Sequence, residues 1–202
     1  MNMHSRLNCS SSLIRWIGES MNGLEWSSDT RSVIAGGCLD VALEHHEAII
    51  LLVKNKHIGS AFALVRCVFE AYIRAVWLHR CASDFELESF QNEKLYKKFD
   101  DILSEIKTIE GFDAGILSEV KKHWWSPMNS FTHCGYAQVA RRYNGMAIGP
   151  DYDEEDVCKA LRFVDGVALL VVGYAAGQVG DMTLQQSVLK KIDEFSKEIA
   201  SG

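Results

Sequence analysis

Residues 60–82, "SAFALVRCVFEAYIRAVWLHRCA", decide the fold. Apolar side chains occupy nearly every side of a helix drawn through this stretch, and a helix apolar all round is one that neighbours bury on all sides. It reads as the central helix of a bundle. The flanking segments supply the neighbours. "TRSVIAGGCLDVALEHHEAIILLVK" (30–54) predicts a long helix with Asp29 or Thr30 as its cap and an apolar second half. Gly36 and Gly37 lower its helix propensity, which fits the close passage of another helix.

A short helical piece is expected around "DFELESF", and "LYKKFDDILSEIKTI" (95–109) repeats an amphipathic pattern through Leu95, Phe99, Ile102, Leu103 and Ile106. In the tail Leu184, Val188, Ile192, Phe195 and Ile199 share a face, with Thr183 at the cap position. "EEDVCKALRFVDGVALLVVGYAAGQ" (154–178) opens with acidic residues, which the helix macrodipole favours in a first turn. Its β-branched run Val167–Val172 could also form a strand, but a lone strand would have no partner. "RYNGMAIGPDYD" (142–153) is the clearest loop. The expectation is an all-α, single-domain bundle of six or seven helices over residues 1–202, with residues 1–12 as a candidate disordered tail.

Composition fits a globular chain. Of 202 residues, 48% are hydrophobic and 24% charged, far from the signature of disorder. The net charge of −6 makes DNA an improbable partner, although Lys121, Lys122, Arg141 and Arg142 allow a local basic patch. Six scattered cysteines without a C-x-x-C pair read as reduced core residues. The start has the marks of neither a signal peptide nor a lipid-attachment sequence. The uncharged run Gly166–Gly180 is shorter than the roughly 20 apolar residues that span a bilayer. A cytoplasmic protein without a membrane partner is therefore expected.

Residues 123–136, "HWWSPMNSFTHCGY", gather polar side chains behind a tryptophan pair. Ser126 before Pro127 suits a helix start, since proline at the first helical position forfeits no internal bond. The expectation is a break at Ser126 and a helix over 127–143, with Asn129, His133, Tyr136 and Ala140 on one face. Trp124 and Trp125 read chiefly as core.

Arg66, Glu70 and Arg74 lie four apart on the otherwise apolar central helix, where charges must be solvated, paired or used. Two readings stand side by side: an intrahelical Arg–Glu–Arg ladder, and a Glu70 oriented by its arginines to face His133 across the bundle. His45 and His46 should diverge, one toward the core and one toward water. No Glu-x-x-His pair on two helices and no His-x-x-x-His occurs, so no metal site is expected. No phosphate loop, serine elbow or Cys–His nucleophile signature is present, and no cofactor is expected.

With "ALVRCVFEAYIRAVWL" and "MNSFTHCG" in view, the chain resembles bacterial all-helical families of unknown function that carry an Arg-x-x-x-Glu helix and a later polar segment with a histidine. These look similar in turn to the HEPN group of helical bundles, in which an Arg-x(4–6)-His motif at a dimer cleft often cleaves RNA. Arg74, "AVWL" and His79 satisfy that expression, a match that nine arginines and seven histidines make roughly once by chance. His133 has the better position, with Asn129 one turn upstream in place of an arginine.

Two functional readings follow. In the first, Arg66, Glu70, Asn129, Thr132 and His133 form the polar cluster of a non-enzymatic binding, scaffold or sensor module. In the alternative, the chain is a HEPN-like RNA-cleaving or nucleotide-binding protein of a defence or toxin type. The catalytic candidates are then His133 as acid or base, with Arg66 or Arg74 stabilising phosphate. Either reading suits a homodimer, with a small anionic ligand or RNA as the molecule bound.

Overall fold

A computed structural model describes residues 2–112, 115–143 and 145–201. Among these the architecture is all-α: nine α-helices, one 3-10 turn and no strand. The count exceeds the expected six or seven because the chain breaks into short pieces around the long helices. The elements are α1 (Met3–Met21), α2 (Thr30–Lys54), α3 (Ile58–Arg80), α4 (Asp84–Gln91), α5 (Phe99–Ile106), α6 (Ile116–Thr132), α7 (Tyr136–Val139), α8 (Glu154–Val179) and α9 (Met182–Ser201). The 3-10 turn, Ala140–Arg142, follows α7 directly.

α3 takes the central place that its composition demands. It packs along α2 as a helical hairpin and also meets α5, α6 and α8. Val68, Phe69, Ile73, Val76, Trp77 and Leu78 of α3 are buried in one core with Leu39, Ile49, Ile102, Ile106, Leu161 and Val164. α8 closes the other side against α1, α2 and α9. By length and composition α8 could cross a membrane, yet 61% of its most apolar window is buried inside the bundle. It is a core helix, and the Val167–Val172 run is helical throughout.

Three local expectations need correction and one holds. Residues 3–12, a candidate disordered tail by sequence, form the first turns of α1, where Asn2 Oδ1 accepts from Ser5 N at 2.9 Å and Arg6 and Ser10 are buried. Gly36 faces the Trp26 ring of the preceding loop, where an added Cβ would lie 3.6 Å from the indole. The cap of α9 is Asp181, whose Oδ1 accepts from Leu184 N at 2.9 Å, and not Thr183. Asp29 does cap α2, through Ser32 N at 3.0 Å.

The largest difference lies at Pro127, which sits inside α6 and does not begin a helix. Packing on both sides of it explains why. Trp124 stacks on Phe163, Trp125 stacks on Phe99, and Met128 and Phe131 are buried beyond the proline. An interior proline costs a helix about 3 kcal/mol, less than the buried Met128 and Phe131 recover at roughly 1.5–3 kcal/mol each together with the partial burial of Trp124 and Trp125. The break comes instead at Cys134 (φ 53) and Gly135, so Tyr136 and Ala140 do not share a helix with Asn129 and His133.

Candidate functional site

α3 and α6 lie side by side, and this brings Arg66 to His133, 67 residues further along the chain. Arg66 Nε and Nη2 donate to Glu70 Oε1 at 3.0 and 2.7 Å, the four-residue spacing placing both on one face of α3. Nη1 lies 2.8 Å from His133 Nε2. A guanidinium only donates, so Nε2 accepts and the neutral ring carries its proton on Nδ1. The guanidinium also covers Trp125, 4.7 Å from the ring centroid, while Trp125 stacks on Phe99 at 4.4 Å and 12°. The central arginine thus meets a carboxylate, an imidazole and an indole at once.

The remaining expected site residues are placed less uniformly. Thr132 Oγ1 lies 2.9 Å from Met128 O within α6 and 3.1 Å from Ala63 O of α3, so its single hydroxyl proton is shared between its own helix and α3. Among the described residues, the buried Oδ1 of Asn129 has no hydrogen-bond partner. Arg74 does not complete a ladder with Glu70; its guanidinium lies over the Phe90 ring at 5.9 Å. His79 is occupied elsewhere, with Nδ1 2.9 Å from Tyr174 Oη, and burial, aided by Arg80, pushes its pKa below the usual imidazole range. Arg74 and His79 therefore have separate partners.

Beside the arginine network a cleft of about 420 Å³ opens between α3, α6 and α8. Phe62, Trp124, Met128 and Phe131 form its apolar walls, and Arg141, Asp156 and Lys159 stand at its rim. Phe62 and Phe131 meet edge to face at 4.9 Å. Arg141 pairs with Asp156, and Lys159 Nζ lies 3.9 Å from the same carboxylate. The sequence hid this cleft because its walls read as ordinary core positions on three separate helices.

A second polar cluster is buried at its centre. Asp165 of α8 is 0% exposed, and Arg6 and His46 are 1% exposed. Arg6 Nη2, Ser10 Oγ and His46 Nε2 each reach the Asp165 carboxylate at 2.7 Å. Arg6 also pairs with Glu198 of α9. His46 and half-buried His45 diverge as their adjacency requires. Five residues beyond Ala160, Asp165 points about 140° away from the cleft around α8. The cluster joins α1, α2, α8 and α9; its aspartate is closed to solvent, while Arg6 and the partly exposed Glu198 also line a surface pocket with Cys9 and Phe195. Its sequence signal was a lone aspartate inside an apolar helix, a charge that burial obliges to find partners.

No curated protein and no solved structure matches the chain. A family model does match, over residues 39–201, a span that includes every residue of the arginine network and the cleft. The chain belongs to that family, DUF6988, a family of unknown function.

Proposed function

We propose that the protein is a non-enzymatic binding module whose ligand seat is the cleft between α3, α6 and α8, with the Glu70–Arg66–His133 network fixing α6 against α3. The observation that carries this reading is the commitment of His133 Nε2 to Arg66 at 2.8 Å. A general base needs a free lone pair within reach of the proton it takes. Here the accepting nitrogen is capped by a donor and the other nitrogen bears hydrogen.

The cleft suits a small molecule with a flat apolar body resting on Phe62, Trp124 and Phe131. Its anionic end would meet Arg141, which Asp156 holds, and Lys159, which Glu155 holds at 2.7 Å. The probe of this seat is 1-anilinonaphthalene-8-sulfonate, an aromatic anion. Saturable binding is expected for the wild type. Ala160→Trp, which fills the cleft, is expected to weaken binding at least tenfold while leaving the urea midpoint in place. Equal binding by both proteins, or none by the wild type, contradicts the assignment.

The alternative, a HEPN-like ribonuclease, draws on the same Arg66–His133 contact. Under it RNA would be cleaved by the wild type and spared by His133→Ala. The binding reading expects intact RNA with both.

A further inference from the structure

Between α7 and α8 the chain forms a short arm whose two sides differ. Its inner side is tied down: Gln138 Nε2 donates to Gly59 O at 3.3 Å, and Arg142 lies over the Tyr152 ring at 5.8 Å. The tips of Arg142 and Tyr152 both lie against Gly59, where an added Cβ would have to push them aside. Backbone bonds close the base, from Gly149 N to Arg142 O at 2.9 Å and from Asp151 N to Arg141 O at 2.8 Å.

Five apolar side chains of this segment and of α7 stand exposed. Tyr136, Val139, Tyr143, Met146 and Ile148 are 84, 49, 57, 95 and 83% exposed. Tyr143 and Ile148 face each other in an antiparallel bridge, which turns both side chains to the same side. Tyr136 and Val139 are neighbours on α7 by their three-residue spacing. Leu51 and Leu189 sit singly on long helices, which is ordinary for a protein surface, while Phe85 and Tyr96, 77 and 93% exposed, line a pocket together with the charged Glu86, Glu88 and Lys94.

We infer that this arm is the interface through which two copies of the chain pair about a two-fold axis. The inference goes beyond the binding function proposed for the cleft and does not depend on it. Area is the first argument. At roughly 200 Å² for a large exposed side chain, the five present on the order of 700 Å², close to the about 800 Å² per partner of a standard stable interface.

Charge is the second argument. Between Cys134 and Pro150 the only charged residues are Arg141 and Arg142, and both face inward, to Asp156 and to Tyr152. Two chains of net charge −6 repel over most of their surfaces. A neutral apolar patch is where such copies can meet, and its lack of outward cations disfavours an anionic membrane. A two-fold axis gives each patch the same patch as its partner.

Sedimentation equilibrium of the full chain tests the pairing. The wild type is expected to dimerise at micromolar concentration. Tyr136→Asp and Ile148→Asp, measured singly so that a folding defect in one leaves the other readable, are each expected to weaken the dimer at least 100-fold with unchanged circular dichroism. Leu51→Asp/Leu189→Asp should leave it intact. A monomeric wild type, including one that instead sediments with phosphatidylserine vesicles, overturns the inference. So does a dimer that survives both arm substitutions, or one that the Leu51/Leu189 control dissociates equally.

Discussion

Asp165→Ala is expected to destabilise the protein by about 3–4 kcal/mol, toward the lower end for breaking a buried ion pair because Glu198 stays beside Arg6. The substitution leaves Arg6, which is 1% exposed, paired with Glu198 alone, takes from His46 its carboxylate partner, and leaves Ser10 only the more distant of its two acceptors, Arg6 O at 3.1 Å. Urea unfolding reads the loss directly. With a slope of about 2 kcal/mol/M, the midpoint should fall by roughly 2 M. Replacing the set together, as Arg6→Met/His46→Leu/Asp165→Leu, is expected to cost far less, since well-packed apolar residues can match a buried ion cluster in stability. A small effect of Asp165→Ala alone would mean that water reaches the cluster when the aspartate is gone.

Gly135→Val is expected to cost up to about 3 kcal/mol, the upper end for side chains forced into filled space. Its φ of −76° is open to any residue, so conformational freedom is not the reason for glycine here. Space is. A Cβ would lie 2.5 Å from Ser130 Oγ and 3.0 Å from Ser130 Cα, and the second of these is backbone that cannot swing aside. Relief requires the turn to lift, breaking the bonds from Gly135 N to Ser130 O at 2.6 Å and from Ala137 N to Ser130 Oγ at 2.9 Å. The same movement should draw His133 from Arg66. Calorimetric unfolding checks the stability, and the imidazole resonances of His133 report the broken contact.

These two sites show where sequence reasoning reached and where it stopped. The all-α fold was legible because its signal is local. The all-round apolar character of residues 60–82 and the four-residue spacing of Arg66 and Glu70 are properties of single helices, and helices preserve them. The break after α6 was misplaced for the opposite reason. A proline rule is also local, but Trp124, Trp125, Met128 and Phe131 settle the matter through contacts with α3, the segment around α5 and α8.

The arginine network stood between these cases. Arg66, Glu70 and His133 could be named as conspicuous, and the structure brings them together, whereas Arg74 and His79 turn to other partners. The Asp165 cluster could not have been assembled at all. Arg6 and Asp165 lie 159 residues apart, and His46 and Asp165 lie 119 apart. Nothing in the pattern of a single helix records such a pairing, although an isolated charge in α8 marks where one must exist.

The central claim is that Arg66 commits the histidine's lone pair to holding two helices together. Nitrogen-15 spectra of His133, recorded at alkaline pH where the ring is neutral and with Arg66→Ala as reference, test it most directly. The account predicts hydrogen on Nδ1 and a hydrogen-bonded, unprotonated Nε2 in the wild type, with that preference relaxed in Arg66→Ala. Hydrogen on Nε2, or spectra identical in the two proteins, would contradict the account and leave His133 free to serve as a base.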